Sequence, residues 1–392
     1  MTGALRILVA TDKFKGCLGA GEVARDLRTG LAQALPGAEI RLHPVSDGGD
    51  GFATELVAHG FTLQTARVSD PLRRPTEAQF AIGQGSAVIE MAASSGLAPL
   101  LAHELAPLRA DTFGLGELVL AALEQQPERV VIGAGGSATS DGGAGALAAL
   151  GMAVRASSNT SPEHYGPAAL LGLATVDLDA LSRVRRRTRF QVATDVTNPL
   201  LGRRGAAAVF GPQKGATSSD LDVIERALTH WANLLEDVTG RRLRDAPRAG
   251  AAGGMAFGLS AALGADLVDG IDTFAELSGL RDAVSWADLV ITGEGSLDAQ
   301  TTGGKAPVGV LRYARAASVP CWAVVGRSTL TIDGVRRLGF VDHLALTDYA
   351  NDERSSIEHA SRWLQEAGRH LGEHVTSGRL HAPLNRSGGL TG

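Results

Sequence analysis

The sequence predicts an α/β protein with two domains, the first built from both ends of the chain and the second inserted into it. Apolar runs alternate with helical stretches at the start of the chain, and the same alternation returns near its end. The stretch between them begins instead with consecutive strand-like segments over 61–92. We therefore expect a parallel-sheet domain at 1–68 and 285–375, an inserted α/β domain at 69–284, and a flexible tail at 376–392.

The first domain begins with a buried strand at 5–10, a helix at 22–35 that Pro36-Gly37 ends, and a strand at 39–45. Its second half starts with a strand at 287–292 and a helix from Pro307, a favourable first-turn residue. Strands at 321–325 and 340–346 follow. The last helix, 355–371, is amphipathic, with Ser355 and Glu358 spaced as a capping box.

The inserted domain alternates again after its first strands. We predict strands at 129–132 and 189–193 and helices near 112–125, 142–150, 219–237 and 254–264. A chain of 392 residues with 44% hydrophobic residues can bury the core that two such domains need.

Five glycine-rich polar loops follow predicted strands. They occupy 10–17, 46–51, 133–143, 194–199 with 211–215, and 293–298 with 303–305. Ligands of α/β sheets bind beyond the carboxyl ends of the strands, and glycine lets backbone N–H groups approach them closely. The loops therefore favour an anionic, phosphorylated ligand.

Lysine is rare, and its positions are informative. Lys and Arg total 37, and only four are Lys: Lys13, Lys15, Lys214 and Lys305. A composition bias explains why lysine is rare, and chance could leave any one of them in a loop. All four lie in the glycine-rich loops, where a compact ammonium suits phosphate as a point charge.

The same loops carry carboxylates: Asp12, Asp47, Asp50, Asp141, Asp195, Glu294 and Asp298. Any one Asp in a loop is more often a cap of its own turn than a ligand. Asp47 and Asp195 are the stronger functional candidates, because both stand at strand ends with no helix to cap immediately.

Several classes of function are disfavoured. A net charge of −5 argues against nucleic-acid and acidic-membrane binding, and no apolar segment approaches the length of a membrane span or signal peptide. Two isolated cysteines fit a reduced, cytoplasmic protein. There is no Walker A motif. A G-x-G-x-x-A match at 133–138 keeps an NADP-dependent oxidoreductase as a remote alternative, although the acidic residue expected about 20 positions later is absent.

The loops together resemble the bacterial glycerate kinase family of the type that forms 2-phosphoglycerate. The matching segments, in the family's order, are 12–16 (DKFKG), 46–51, 114–118, 133–145 (GAGGSATSDGGAG), 195–200 (DVTNPL), 213–216, 250–254 (GAAGG) and 293–307 (GEGSLDAQTTGGKAP). The resemblance covers about 5–372. Four residues depart from the family's usual ones: Thr11 for Pro, Cys17 for Ser, Phe52 for Thr and Met255 for Leu.

The resemblance implies a kinase that uses ATP and Mg²⁺ to phosphorylate D-glycerate. It implies a Rossmann- or flavodoxin-like domain, an inserted α/β domain and an active site in the cleft between them. Phe52 and Thr11 keep a different small hydroxy acid, or a hydroxyl compound of a specialised pathway, open as the substrate, and a homodimer is also left open.

We assign hypothetical roles to the loop residues on this basis. Asp195 would be the base, and Lys15 and Lys305 would bind phosphate and the transition-state charge. Asp47 and Asp298 would hold Mg²⁺. The nucleotide would contact Gly135, Gly136, Ser137, Lys214 and Glu294.

Overall fold

The computed structural model describes residues 4–49, 51–157, 162–298, 305–350 and 352–377. Three sequence-based expectations lie outside these residues: the acid Asp50, the Gly303-Gly304 part of the fifth loop, and the tail from 378 onward.

The described residues form two main sheets and two small ones. The strands are β1 (Arg6–Thr11), β2 (Glu39–Leu42), β3 (Thr62–Ser69), β4 (Pro75–Gly83), β5 (Ser86–Glu90), β6 (Arg129–Gly133), β7 (Ala153–Ala156), β8 (Leu173–Asp177), β9 (Arg189–Thr194), β10 (Asp266–Asp269), β11 (Leu289–Gly293), β12 (Ser296–Leu297), β13 (Cys321–Val325), β14 (Arg327–Ser328) and β15 (His343–Ala345). One sheet has the order β15-β13-β11-β1-β2 and the other β10-β9-β6-β5-β4-β3. The strands β12 and β14 pair with each other, as do β7 and β8.

Helices connect and cover these strands. They are α1 (Ala20–Ala34), α2 (Phe52–Glu55), α3 (Met91–Ser95), α4 (Phe113–Leu123), α5 (Ala144–Ala149), α6 (Pro167–Leu170), α7 (Leu181–Arg187), α8 (Ala206–Phe210), α9 (Ser218–Thr239), α10 (Met255–Leu263), α11 (Gly270–Ser278), α12 (Leu280–Trp286), α13 (Ala306–Ala316), α14 (Ile332–Leu338), α15 (Glu353–Glu358) and α16 (Ala360–Thr376).

The chain divides into two compact units, residues 1–47 with 271–392 and residues 48–270. The first contains the five-stranded sheet, which is parallel at every described pairing. Its central strands β1, β11 and β13 are almost wholly buried, as their continuous apolar sequences predict. Helices α1 and α16 pack on this core.

The second unit contains the six-stranded mixed sheet. Its strands β3, β4 and β5 pair antiparallel, whereas β5, β6, β9 and β10 pair parallel. Trp231 of α9 lies fully buried in its core, and its indole Nε1 donates to the carbonyl of Gly142 at 3.0 Å. Both units are therefore α/β, and the predicted fold class is confirmed.

The unit boundaries differ from the expected 68/69 and 284/285. The second unit already includes β3, because β3 pairs along its whole length with β4 of the six-stranded sheet. Residues 271–284 belong to the first unit. The boundary expected at 69 lies at the end of β3 instead of before it. The sequence alone does not show which sheet a strand joins.

The predicted last helix is two helices. Asp352, not Ser355, is the N-cap: its carboxylate accepts from the Ser355 N–H at 2.7 Å. The helix is interrupted at His359, where φ is −119°, and α16 begins at the next residue. Ile357 is consequently 51% exposed instead of facing the core with the apolar residues of α16.

No helix in the described part of the chain combines the length and apolar character that crossing a membrane requires.

Candidate active site

Three carboxylates meet at one edge of the first unit's sheet. Asp12 follows β1, Glu294 follows the neighbouring β11, and Asp47 lies beyond β2 on the other side of β1. The Asp12 N–H donates to the Gly293 carbonyl at 2.9 Å. Burial of Asp12, together with the negative charges of Asp47 and Glu294, raises the pKa of Asp12 well above its usual value. The parallel strand order therefore gathers acids that lie far apart in sequence.

Three buried hydroxyl groups line the same edge. The side chains of Thr11, Ser46 and Thr292 are 0–2% exposed, and within the described residues their oxygens have no hydrogen-bond partner. A buried hydroxyl without a partner is costly, so such groups commonly await water or a ligand. Thr11 and Ser46 each directly precede an acid, Asp12 or Asp47. This hydroxyl-acid pattern at strand ends is a sequence signal for Asp12, to which the sequence analysis gives no role.

The edge supplies only oxygen donors, which are the ligands that Mg²⁺ prefers. In the described parts of the chain, no three carboxylate, histidine or cysteine side chains form a group that could by itself hold a metal ion. Magnesium in kinases usually takes one or two carboxylates and completes its shell with phosphate oxygens and water. The donor chemistry therefore fits Mg²⁺ bound together with a nucleotide.

The three lysines of the first unit lie in the loops that carry these acids. Lys305 directly precedes α13, and its ammonium lies 3.2 Å from a Glu294 carboxylate oxygen. The backbone N–H of Lys13 donates to the Asp12 carboxylate at 2.7 Å. Lys15 is exposed. A Cβ placed on Gly295 would lie 3.4 Å from the Lys15 backbone nitrogen, so the first and fifth loops are neighbours.

Asp298 has a less defined place than Asp47. Its carboxylate accepts from the Ser296 hydroxyl at 3.4 Å, and it borders the segment 299–304 that lies outside the described residues. Asp47 lies close enough to Asp12 for its negative charge to raise the pKa of Asp12. Pairing of Asp47 with Asp298 at a metal stays a prediction.

In the second unit, glycines let three loops approach closely. A Cβ on Gly133 would lie 2.6 Å from the Gly48 carbonyl oxygen, and one on Gly135 would lie 2.6 Å from the Gly49 Cα. The Ala134 N–H donates to the Ala193 carbonyl at 3.0 Å. The carboxyl ends of β6 and β9 therefore lie side by side against 48–49. Asp195, half-buried, follows β9 at this edge.

The segment 135–137 is predicted to bind an anion. Hydrogen bonds that link this segment and the adjacent Ala138 to residues 95–97 hold it in place. The Leu97 N–H donates to the Gly136 carbonyl at 2.8 Å, and the Ala138 N–H donates to the Ser95 carbonyl at 2.9 Å. The N–H groups of Gly136 and Ser137 donate to none of the described residues. Gly136 is exposed and has a φ of 70°. The segment can thus present two N–H groups to an anion.

Lys214 is buried beneath this loop. Its side chain is 2% exposed, and its ammonium donates to the Thr139 carbonyl at 2.5 Å. Burial lowers the pKa of Lys214 to about 7, and the nearby Asp141 opposes that shift. The structure therefore shows Lys214 bonded to the loop itself.

Asp141 has a structural position. It is fully buried and accepts from the Thr112 N–H and hydroxyl at 2.9 and 2.7 Å and from the Gly143 and Gly145 N–H groups at 3.1 and 3.0 Å. Burial and the charge of Asp111 nevertheless raise the pKa of Asp141 to about 6.

Phe52 belongs to the core of the second unit. It is 0% exposed, and a Cβ on Gly133 would lie 3.2 Å from its ring. Its ring therefore packs against the backbone at Gly133.

Known proteins resemble this chain over nearly its whole length. The glycerate kinase family model matches residues 7–376. The glycerate kinase of Bacillus subtilis (strain 168) is 40% identical over 373 residues, which cover 94% of this chain and 97% of the relative. The glycerate 2-kinase of Escherichia coli (strain K12) is 38% identical over 338 residues, covering 86% and 88%.

A solved structure has the same fold. The crystal structure provisionally assigned as glycerate kinase 2 from Salmonella typhimurium LT2 superposes with a TM-score of 0.82 at 34% identity, covering 96% of this chain and 99% of that one.

Proposed function

The chain belongs to the glycerate kinase family, and we propose that it transfers the γ-phosphoryl group of ATP to the 2-hydroxyl of D-glycerate. The products are 2-phosphoglycerate and ADP. The family resemblance inferred from the sequence and the expectation of a kinase are both confirmed by these relatives. The observation that best supports the finer proposal is the first unit's edge, which carries carboxylates, Lys305 and buried hydroxyls that have no hydrogen-bond partner in the described part of the chain.

The proposed chemistry is an in-line displacement. The substrate hydroxyl oxygen forms a bond to the γ-phosphorus, the bond to the β,γ-bridging oxygen breaks, and ADP leaves with that electron pair. Asp195 accepts the hydroxyl proton. Lys15 and Lys305 bind the phosphate oxygens and offset the charge that develops on them. Neither lysine is proposed to form a covalent bond.

Other residues bind the nucleotide and metal. Asp47 and Asp298 would hold Mg²⁺, and Asp12 joins them because it shares the edge with Asp47. Magnesium, when bound, neutralises charge on the phosphate oxygens. The N–H groups of Gly136 and Ser137 donate to an anionic group of the nucleotide, Gly135 shapes this loop, and Lys214 supports it through Thr139. Glu294 holds the Lys305 ammonium in place.

A different small hydroxy acid is the second candidate substrate. The observation that favours it is the buried hydroxyl of Thr11 at the site edge, which has no hydrogen-bond partner among the residues that the structure describes, at a position where related kinases usually have proline. A hydroxyl there can bind a polar group that proline cannot. Kinetics on D-glycerate and on longer hydroxy acids separate the two candidates.

The product decides between the candidate reactions. Incubation with D-glycerate, ATP and Mg²⁺ is expected to give the phosphorus NMR signal of 2-phosphoglycerate. A 3-phosphoglycerate signal would overturn the position of transfer, and no phosphorylated product would overturn D-glycerate as the substrate.

The base is tested by Asp195→Asn, which should lower kcat by roughly 10²- to 10⁴-fold, the usual contribution of a general base. KM for ATP should change little. Asp222→Asn is a matched control, because Asp222 is an exposed acid on α9 of the same unit. Near-normal turnover of the Asp195 variant would contradict its role as the base.

Lys15→Arg tests the role of Lys15 as a point charge and should lower activity. Normal activity of this variant would contradict the point-charge argument for Lys15.

A further inference from the structure

Arg248 lies at the carboxyl edge of the second unit's sheet, beside the proposed base. Its guanidinium Nε is 3.5 Å from the carbonyl oxygen of Thr194, the last residue of β9. Asp195 is the next residue. The strand β10 ends at the same level, because Asp269 pairs in register with Thr194. Arg248 therefore places a positive charge where β9 and β10 end.

The guanidinium is oriented but not saturated. Its Nη2 donates to the Asp269 carboxylate at 3.2 Å, and the two side chains are 25% and 24% exposed. Its Nη1 has no hydrogen-bond partner among the residues that the structure describes. Since each terminal nitrogen of arginine carries two N–H donors, the group can still accept an anion at Nη1 while Asp269 fixes its plane.

The backbone of Arg248 is in a conformation that favours glycine. Its φ is 74°, in the left-handed region that is unfavourable for a residue with a Cβ. The surrounding hydrogen bonds hold it there: the Ala251 N–H donates to the Arg248 carbonyl at 3.0 Å, and the Gly250 N–H donates to the Asn198 carbonyl at 2.9 Å. A strained arginine at an edge lined by ligand-binding loops suggests that its side chain has a use.

Binding the carboxylate of a hydroxy acid would be such a use. Its carboxylate carries a negative charge one carbon from the hydroxyl that reacts, and the carboxylate of Asp195 would repel it. A guanidinium at the Thr194 carbonyl, one residue before Asp195, offsets this repulsion and matches the geometry of a carboxylate.

We propose that Arg248 binds the carboxylate of the hydroxy acid substrate and thereby presents its hydroxyl to Asp195. This inference rests on the proposed kinase function and adds a specificity-determining residue to it. Arg248 contributes to ground-state and transition-state binding alike, since the carboxylate is charged in both.

The test is a set of Arg248 variants assayed with D-glycerate and ATP. Arg248→Gln should raise KM for D-glycerate by about 10- to 100-fold, as expected for loss of a charged hydrogen-bonding partner, with KM for ATP unchanged. Arg248→Lys should recover part of this loss. Arg226→Gln is the matched control, because Arg226 is an exposed arginine on α9 that donates to a carbonyl of its own helix.

Arg248→Gly separates binding from folding. Glycine relieves the positive φ, so this variant should melt no lower than the parent chain and still show the raised KM for D-glycerate. An unchanged KM for D-glycerate in the Gln and Gly variants would overturn the inference while leaving the kinase function intact. Absence of D-glycerate turnover in the parent chain would overturn both.

Discussion

At the scale of single residues, the two buried charged groups near the glycine-rich loop 133–143, Asp141 and Lys214, behave differently. Asp141 is satisfied by four hydrogen bonds from N–H and hydroxyl groups. Lys214 has a strong bond to Thr139, but burial disfavours its charged form and lowers its pKa to about 7. An ammonium with this pKa loses part of its charge at neutral pH. It can hold the loop by hydrogen bonding in either protonation state.

Lys214 therefore makes stability depend on pH. The unfolded chain keeps the lysine proton up to about pH 10.4, whereas the folded chain releases it near pH 7. The unfolded state binds more protons between these values, so this group makes the free energy of unfolding rise with pH. Lys214→Met removes the effect. The stability of the parent chain relative to this variant should increase from pH 7.5 to 10, by up to about 1.4 kcal/mol per pH unit.

Chemical denaturation of both proteins across that range measures this prediction. Taking the difference between the two proteins cancels tyrosine and cysteine titrations that they share. A difference that stays constant with pH would show that Lys214 is charged throughout.

At the scale of elements, α1 and α16 pack with almost no side chain between them at one point. A Cβ on Gly30 would lie 1.8 Å from the Gln365 carbonyl oxygen and 2.7 Å from the Arg369 nitrogen. Gly368 is equally restricted from the other helix, because a Cβ there would lie 2.5 Å from the Leu27 carbonyl oxygen. The obstacles are backbone atoms, so a side-chain rotation cannot relieve them.

Gly30→Ala should therefore destabilise the protein although alanine favours helices. We expect a loss of about 2–4 kcal/mol from the forced separation of α1 and α16. Thermal unfolding of Gly30→Ala and of Gly37→Ala measures the effect. Gly37 is the control, because a Cβ there meets no heavy atom within 4 Å. Equal melting temperatures for the two variants would contradict the close approach.

At the scale of the whole molecule, the glycine-rich loops at strand ends belong to both units. Their chemistry favours nucleotide phosphate with Mg²⁺, and the G-x-G-x-x-A match at 133–138 is the whole support for a dinucleotide. In the structure no helix begins directly after that match, since α5 starts at Ala144. A dinucleotide fingerprint needs its pyrophosphate at a helix N-terminus.

ATP with Mg²⁺ should raise the melting temperature, and NADPH should not. A ligand at about 100 times its dissociation constant stabilises the folded state by roughly 2.7 kcal/mol. Adding EDTA should remove most of the ATP effect, because the carboxylates of the site then repel the uncompensated phosphates. Stabilisation by NADPH in the absence of any ATP effect would contradict the kinase proposal and support the oxidoreductase.

The sequence alone determined the fold class, most strand positions and the loops that carry chemistry. Short continuous apolar runs such as β11 and β13, bounded by loop signals, favour buried strands of a covered sheet, and helix periodicity is equally local. The family resemblance rested on the same loops. The sequence does not predict the interruption between α15 and α16 at His359, because Ile357 fits the apolar spacing of α16 although its side chain is exposed.

The tertiary structure decided which loop residues meet. Asp12 joins Asp47 and Glu294 because β1 lies between β2 and β11, and strand order is not written in any local pattern. Lys214 lies buried under its loop, and the Arg248 guanidinium lies 3.5 Å from the carbonyl of Thr194, the residue before Asp195. Residue types thus follow from the sequence, whereas burial, partners and the resulting charge states depend on contacts between segments distant in the chain.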